Sequence, residues 1–113
     1  MSFLPTDIFA QIIAGEIPCD KVFESDEILA FRDIAPKAET HILIIPKENL
    51  VTAKEVTPEN TALFGKLFLA AKIIAKQENL DGYKLHMNVD EAGGQVVPHV
   101  HLHLLSADFK TNL

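Results

Sequence analysis

The stretch His99-Val100-His101-Leu102-His103-Leu104-Leu105 decides how this chain is read. Along a strand, successive side chains point to opposite faces. His99, His101 and His103 are therefore expected on one face, about 6.7 Å between neighbours. Val100, Leu102 and Leu104 take the other face and anchor the strand, expected over Val97–Leu105, to a core. Three titratable rings on a rigid strand suit a preorganised site. A neutral imidazole is a nucleophile near pH 7, and a protonated one donates to an oxyanion or a leaving group. One ring could attack phosphorus while its neighbours hold the phosphate oxygens.

The surroundings strengthen that reading. Gly93-Gly94-Gln95 lies just upstream, and glycines let a backbone approach an anion closely. A fourth histidine, His41, opens a strand over His41–Pro46, with Ile42 and Ile44 facing away from it. Zinc is the competing use, since His-x-His on a strand can supply two metal ligands. No cysteine pair or carboxylate ligand stands close by in sequence, so no metal or cofactor is assigned. His86, on a strand over Lys84–Val89, and Cys19 are read as structural, and Phe64 and Phe68 as core.

Working outward, Thr6–Gly15 reads as a short helix with Thr6 as N-cap, Gly15 at its exit and Ile8, Phe9, Ile12 and Ile13 on one apolar face. Strands are expected over Lys21–Ser25 and Ile28–Asp33, joined by a turn at Ser25-Asp26-Glu27. Thr57-Pro58 signals the start of a long helix, Pro58–Glu78, ending before Gly82. Its Leu63, Leu67, Ala70, Ala71, Ile74 and Ala75 recur at helical spacing. Ser106–Leu113 reads as a polar tail. Strands before and after one long helix, without βαβ alternation, indicate an α+β fold with a mainly antiparallel sheet.

The 113 residues suit a single domain, 1–113, able to bury a core without disulfides. The lone Cys19 cannot form an intrachain disulfide, which fits a reducing compartment. No signal peptide and no apolar run of bilayer-spanning length is seen, so a soluble, cytoplasmic protein is expected. A formal net charge of −6 argues against nucleic acid and anionic membranes as partners. It leaves room for one small anionic ligand held by imidazoles and backbone N–H groups.

His99–Leu105 resembles the signature of the histidine-triad superfamily. The segments Asp7–Pro18, Ala30–Pro36, Thr40–Pro46 and Gly93–Gln95 look like its Hint branch, the purine nucleoside phosphoramidases. The resemblance implies a five-stranded antiparallel sheet with one short and one long helix, and a homodimer that extends the sheet. It implies hydrolysis of purine nucleoside 5′-phosphoramidates, with AMP- or GMP-type ligands. By match to the motif, His101 is the nucleophile and His103 holds the phosphate oxygens. His99 orients His101 and passes a proton to the leaving amine, and His41 supports the triad. The ribose carboxylate falls on Asp33. The base pocket falls on Ile8, Phe9, Ile12, Phe31, Ile34 and Leu43, and the phosphate-side contacts on Asn88, Gly94, Gln95, Val96 and Val97. Two departures stand out: Val96 replaces a hydroxyl residue common in relatives, and the tail after Leu105 is short. Hydrolysis of dinucleoside polyphosphates by the same chemistry, and nucleotide binding with vestigial hydrolysis, are the alternatives.

Overall fold

The computed structural model describes residues 2–107. The chain runs α1 (Ile8–Ile13), β1 (Lys21–Glu24), β2 (Ile28–Arg32), β3 (Thr40–Pro46), α2 (Thr61–Gln77), β4 (Lys84–His86) and β5 (Leu102–Ser106), with 3-10 turns at Ala53–Glu55 and Glu91–Gly93. The strands form one five-stranded sheet in the order β1-β2-β3-β5-β4. All four pairings are antiparallel. This is the α+β architecture expected from the sequence.

Alternation sorts the side chains onto two faces. Ile42 and Ile44 of β3 join Val100, Leu102 and Leu104 in the cluster that packs under α2. The helix brings Leu63, Leu67, Ala70, Ala71, Ile74 and Ala75 to the same cluster. On the opposite face Leu29, Phe31, Leu43 and Ile45 pack against Phe9 of α1. The histidines lie on this second face.

Several boundaries differ from the sequence reading, each for a local reason. Asp7, not Thr6, is the N-cap of α1: its Oδ1 accepts from the backbone N–H groups of Phe9 and Ala10, both at 3.0 Å. Thr57-Pro58 opens a separate turn instead of α2. Thr57 accepts from the Asn60 N–H through its Oγ1 and from the Thr61 hydroxyl through its carbonyl, and the helix begins at Thr61. At the other end, the Asn79 N–H donates to Lys76 O and the Leu80 N–H to Ala75 O. With Asn79 at φ 58°, this is a Schellman closure that turns Leu80 back onto the core. Phe64 packs against that core, whereas Phe68 is exposed. β4 stops at His86, and β5 begins only at Leu102. Ser106 closes β5; residues 108–113 of the expected tail lie outside the described ones. No described helix is long and apolar enough to cross a membrane.

Candidate active site

The histidine face opens onto a cavity of about 500 Å³, walled by α1, the segment after it, β2 and the glycine loop. That volume is in the range of small-molecule sites. Ile8, Phe9 and Ile12 of α1 line it together with Phe31 and Leu43 of the sheet. Asp33 and Ile34 stand at the mouth, where Ile34 is 98% exposed. Asn88, Gly94, Val96 and Val97 form the glycine-loop side, and His101 and His103 complete the lining.

Gln95 is not part of that wall. Its side chain is buried, with Nε2 donating to the carbonyls of Val51 (2.6 Å) and Val97 (2.9 Å) and Oε1 accepting from the Asp90 N–H (2.8 Å). It holds the loop in shape from behind. Gly94 takes φ +88°, and a Cβ there would come within 3.3 Å of Asn88 Nδ2, so both the conformation and the close approach favour glycine.

The three triad histidines do not share one regular strand. Only His103 lies within β5, where it pairs with Leu43 and His86. The chain bends at residues 97–99, fixed by the His99 N–H donating to Val97 O at 2.8 Å. His101 and His103 come together with ring centroids 5.0 Å apart. The His99 ring is buried, with Nδ1 at 2.8 Å from Asp7 Oδ2 and Nε2 at 2.8 Å from the Pro46 carbonyl. Both its nitrogens are engaged away from the cavity. The role of passing a proton to a leaving group, expected for His99, therefore has no ring nitrogen available to perform it.

Hydrogen bonding fixes the protons of the other rings. His101 Nδ1 lies 2.7 Å from the His99 carbonyl, which can only accept, so Nδ1 carries the proton. Burial, reinforced by repulsion from His99, pushes the His101 pKa below the ordinary imidazole value, against the His99 carbonyl contact that raises it. The neutral ring then keeps its lone pair on Nε2. A parallel chain starts at Lys37, whose backbone N–H donates to His41 Nδ1 at 3.0 Å. Neutral His41 therefore carries its proton on Nε2, 2.9 Å from His103 Nδ1, and donates there. That leaves the His103 proton on Nε2. Burial lowers the His41 pKa, and burial with repulsion from His101, His41 and His86 lowers that of His103 to about 4. Asp33 sits beside this chain: its Oδ1 accepts from the Ala35 N–H (2.8 Å) and its Oδ2 lies 3.5 Å from His41 Nε2.

Asp33, His41 and His103 also bring three ligand-type atoms within 4.8 Å of one another. A cation there would need the Nε2 lone pair of His41, whose other nitrogen already accepts from the Lys37 amide. Both nitrogens would then have to be unprotonated, so the trio fits a metal poorly while residue 37 stays in place.

Sequence reasoning missed five residues of this site. Ile17, Pro18, Cys19 and Arg32 line the cavity; the first three follow α1 and return along its face, which no spacing signals. His86 also faces the site: it pairs with His103 across the β4–β5 ladder, with ring centroids 5.5 Å apart, and its Nε2 is 3.1 Å from Asn88 Oδ1. Only the strand register, not the sequence around it, brings it there.

Comparison with known proteins gives the family. A family model described as HIT domain matches residues 14–110. The purine nucleoside phosphoramidase of Escherichia coli is 48% identical over 100 residues, spanning 87% of this chain and 84% of that protein. A 14 kDa zinc-binding protein of Zea mays is 46% identical over 101 residues, spanning 87% and 79%. Among solved structures, a HIT family hydrolase from Legionella pneumophila superposes with a TM-score of 0.89 at 45% identity, covering 94% of this chain and 96% of that one. On its matched domain, its sheet order and its histidine-lined cavity, the chain belongs to the HIT family of hydrolases.

Proposed function

We propose that this protein cleaves the P–N bond of purine nucleoside 5′-phosphoramidates, of the AMP-NH2 or AMP-lysine type, through a nucleotidyl-His101 intermediate. One observation carries the reading. Two adjacent neutral imidazoles have opposite proton placements: His101 offers a lone pair on Nε2, and His103 offers a proton on Nε2. A nucleophile beside a donor is what attack at phosphorus requires.

In this reading His101 Nε2 bonds to the α-phosphorus as the P–N bond breaks, and His103 donates to a phosphate oxygen. Both ring nitrogens of His99 are occupied, so the leaving amine takes its proton from water or from a group at the cavity mouth. Water then cleaves the nucleotidyl-imidazole bond and releases the nucleoside monophosphate. Asp33 accepts from the ribose hydroxyls, and the purine lies among Ile8, Phe9, Ile12, Phe31 and Leu43. The phosphoramidase activity named for the E. coli relative supports this substrate class. Phe68, Leu69 and Ile73 leave an apolar patch exposed on α2, which supports pairing with a second copy.

The test is to trap the intermediate with a nucleoside phosphoramidate and locate the nucleotide by mass spectrometry. The adduct is expected on His101; its absence there overturns the nucleophile. Parallel turnover of a dinucleoside polyphosphate decides the substrate, and faster cleavage of the polyphosphate overturns the phosphoramidate assignment.

A further inference from the structure

The residue that starts α1 also touches the triad. Asp7 lies 92 positions before His99 in sequence, yet its Oδ2 is 2.8 Å from His99 Nδ1 while its Oδ1 caps α1. The carboxylate is largely covered, with its side chain 18% exposed and that of His99 1% exposed. We propose that Asp7 is a positioning residue of the reaction, holding the His99 ring so that the His99 carbonyl aims the nucleophile. This rests on the function proposed above.

The bonding around His99 gives the physical reason. The Pro46 carbonyl can only accept, so His99 Nε2 carries a proton. A hydrogen bond between Nδ1 and Asp7 then needs a second proton between them. Whether that proton sits on nitrogen or oxygen, Asp7 is what occupies it. Without Asp7, a buried ring nitrogen loses its partner, which is unfavourable by the desolvation of a polar group. The ring can restore a bond only by turning, and it is joined to the peptide whose carbonyl receives His101 Nδ1 at 2.7 Å. Phe9, two residues after Asp7, packs edge-on against His101 with centroids 5.0 Å apart. One short segment thus fixes both the carbonyl and the ring that flank the nucleophile.

The same segment reaches the glycine loop. The Leu4 N–H donates to Val96 O at 2.8 Å, and the Phe3 N–H to Glu91 Oε2 at 2.6 Å. Asp7 therefore sits where a strap crosses from the loop to the triad. A capping role alone would explain Oδ1; it would not explain why Oδ2 points at a buried imidazole.

The experiment compares Asp7→Ser and Asp7→Asn with the wild-type protein. Serine keeps one oxygen for the Phe9 and Ala10 amides and has none left for His99. Asparagine keeps the cap and the reach but loses the charge. With AMP phosphoramidate as substrate, Asp7→Ser is expected to lower kcat about tenfold or more, with KM within about threefold and the melting temperature lowered by several degrees while the protein stays folded at assay temperature. Asp7→Asn falls between it and wild type. Nitrogen NMR of His101 gives a readout that needs no turnover: one Nδ1–H tautomer in wild type, and a tautomer mixture in Asp7→Ser. An unchanged kcat or an unchanged His101 tautomer in a folded Asp7→Ser protein overturns the proposal. If the wild-type protein turns over no phosphoramidate, the proposed function fails, and the His101 spectrum alone decides the place of Asp7.

Discussion

The two sides of the sheet are built on the same alternation but solve different problems. Under α2, Ile42, Ile44, Leu102 and Leu104 meet Leu67, Ala71 and Ile74, all almost fully buried and all apolar. Nothing there has to hold a proton, so close packing is the whole requirement. On the other side, His41, His99 and His101 are also buried, and every ring nitrogen of theirs except His101 Nε2, which keeps its lone pair, has a hydrogen-bond partner. The helix side tolerates an exchange of one aliphatic residue for another of equal volume. The histidines of the cavity side admit no exchange of this kind, because their order resides in hydrogen-bond direction.

The sharpest way to break this contrast is to substitute one residue on each side. His101→Asn is expected to reduce turnover by on the order of 10³-fold or more while AMP affinity, measured by calorimetry, changes less than tenfold. Equal losses of binding and turnover would mean that His101 holds the ligand and does not attack it. Leu102→Ala, next in the chain and on the other face, is expected to destabilise the fold by about 2–5 kcal/mol in urea unfolding. The remaining folded protein should keep the wild-type kcat. A fall in kcat at full folding would show that the two faces are coupled.

Proton inventory also separates the sides by pH. The unfolded chain protonates its histidines below about pH 6.5, whereas folded His41, His101 and His103 resist protonation, His103 down to about 4. The unfolded state therefore binds more protons in that window, and stability falls as pH drops from about 6.5 toward 4. Turnover should persist below pH 6.5 and disappear as His101 gains its proton. A melting temperature flat across this window would mean that the rings are not held neutral. The smallest expected effect is at the end of α2, on the apolar side. Asn79→Ala, at φ 58°, should cost about 1 kcal/mol in thermal unfolding with activity intact.

The apolar side was largely legible in the sequence, because burial leaves a periodic trace: the α2 stripe and the Val100-Leu102-Leu104 alternation mark the residues that pack. Most of the cavity lining was legible through the resemblance of short motifs. What the sequence left hidden depends on contacts between distant segments. The register of β4 against β5 brings His86 to His103, and the bend at 97–99 turns His99 toward Asp7. Asp7 has the composition of a helix cap, and nothing in its neighbours announces a second partner. Gln95 stands in a loop motif yet works as an internal brace, a distinction that only its three hydrogen bonds reveal.

The strand order has a consequence for how activity is acquired during synthesis. β5 is the last of the described strands to be made, and it inserts between β3 and β4, which are already present. Until it arrives, β3 and β4 have no ladder to each other, and Asp7 has no imidazole to hold. A growing chain can form the β1–β2 hairpin and α2 early, from contacts close in sequence. On the function proposed above, the triad histidines come last, when residues 99–106 close the sheet. In that reading, a chain that has not yet made β5 has no nucleophile and no activity.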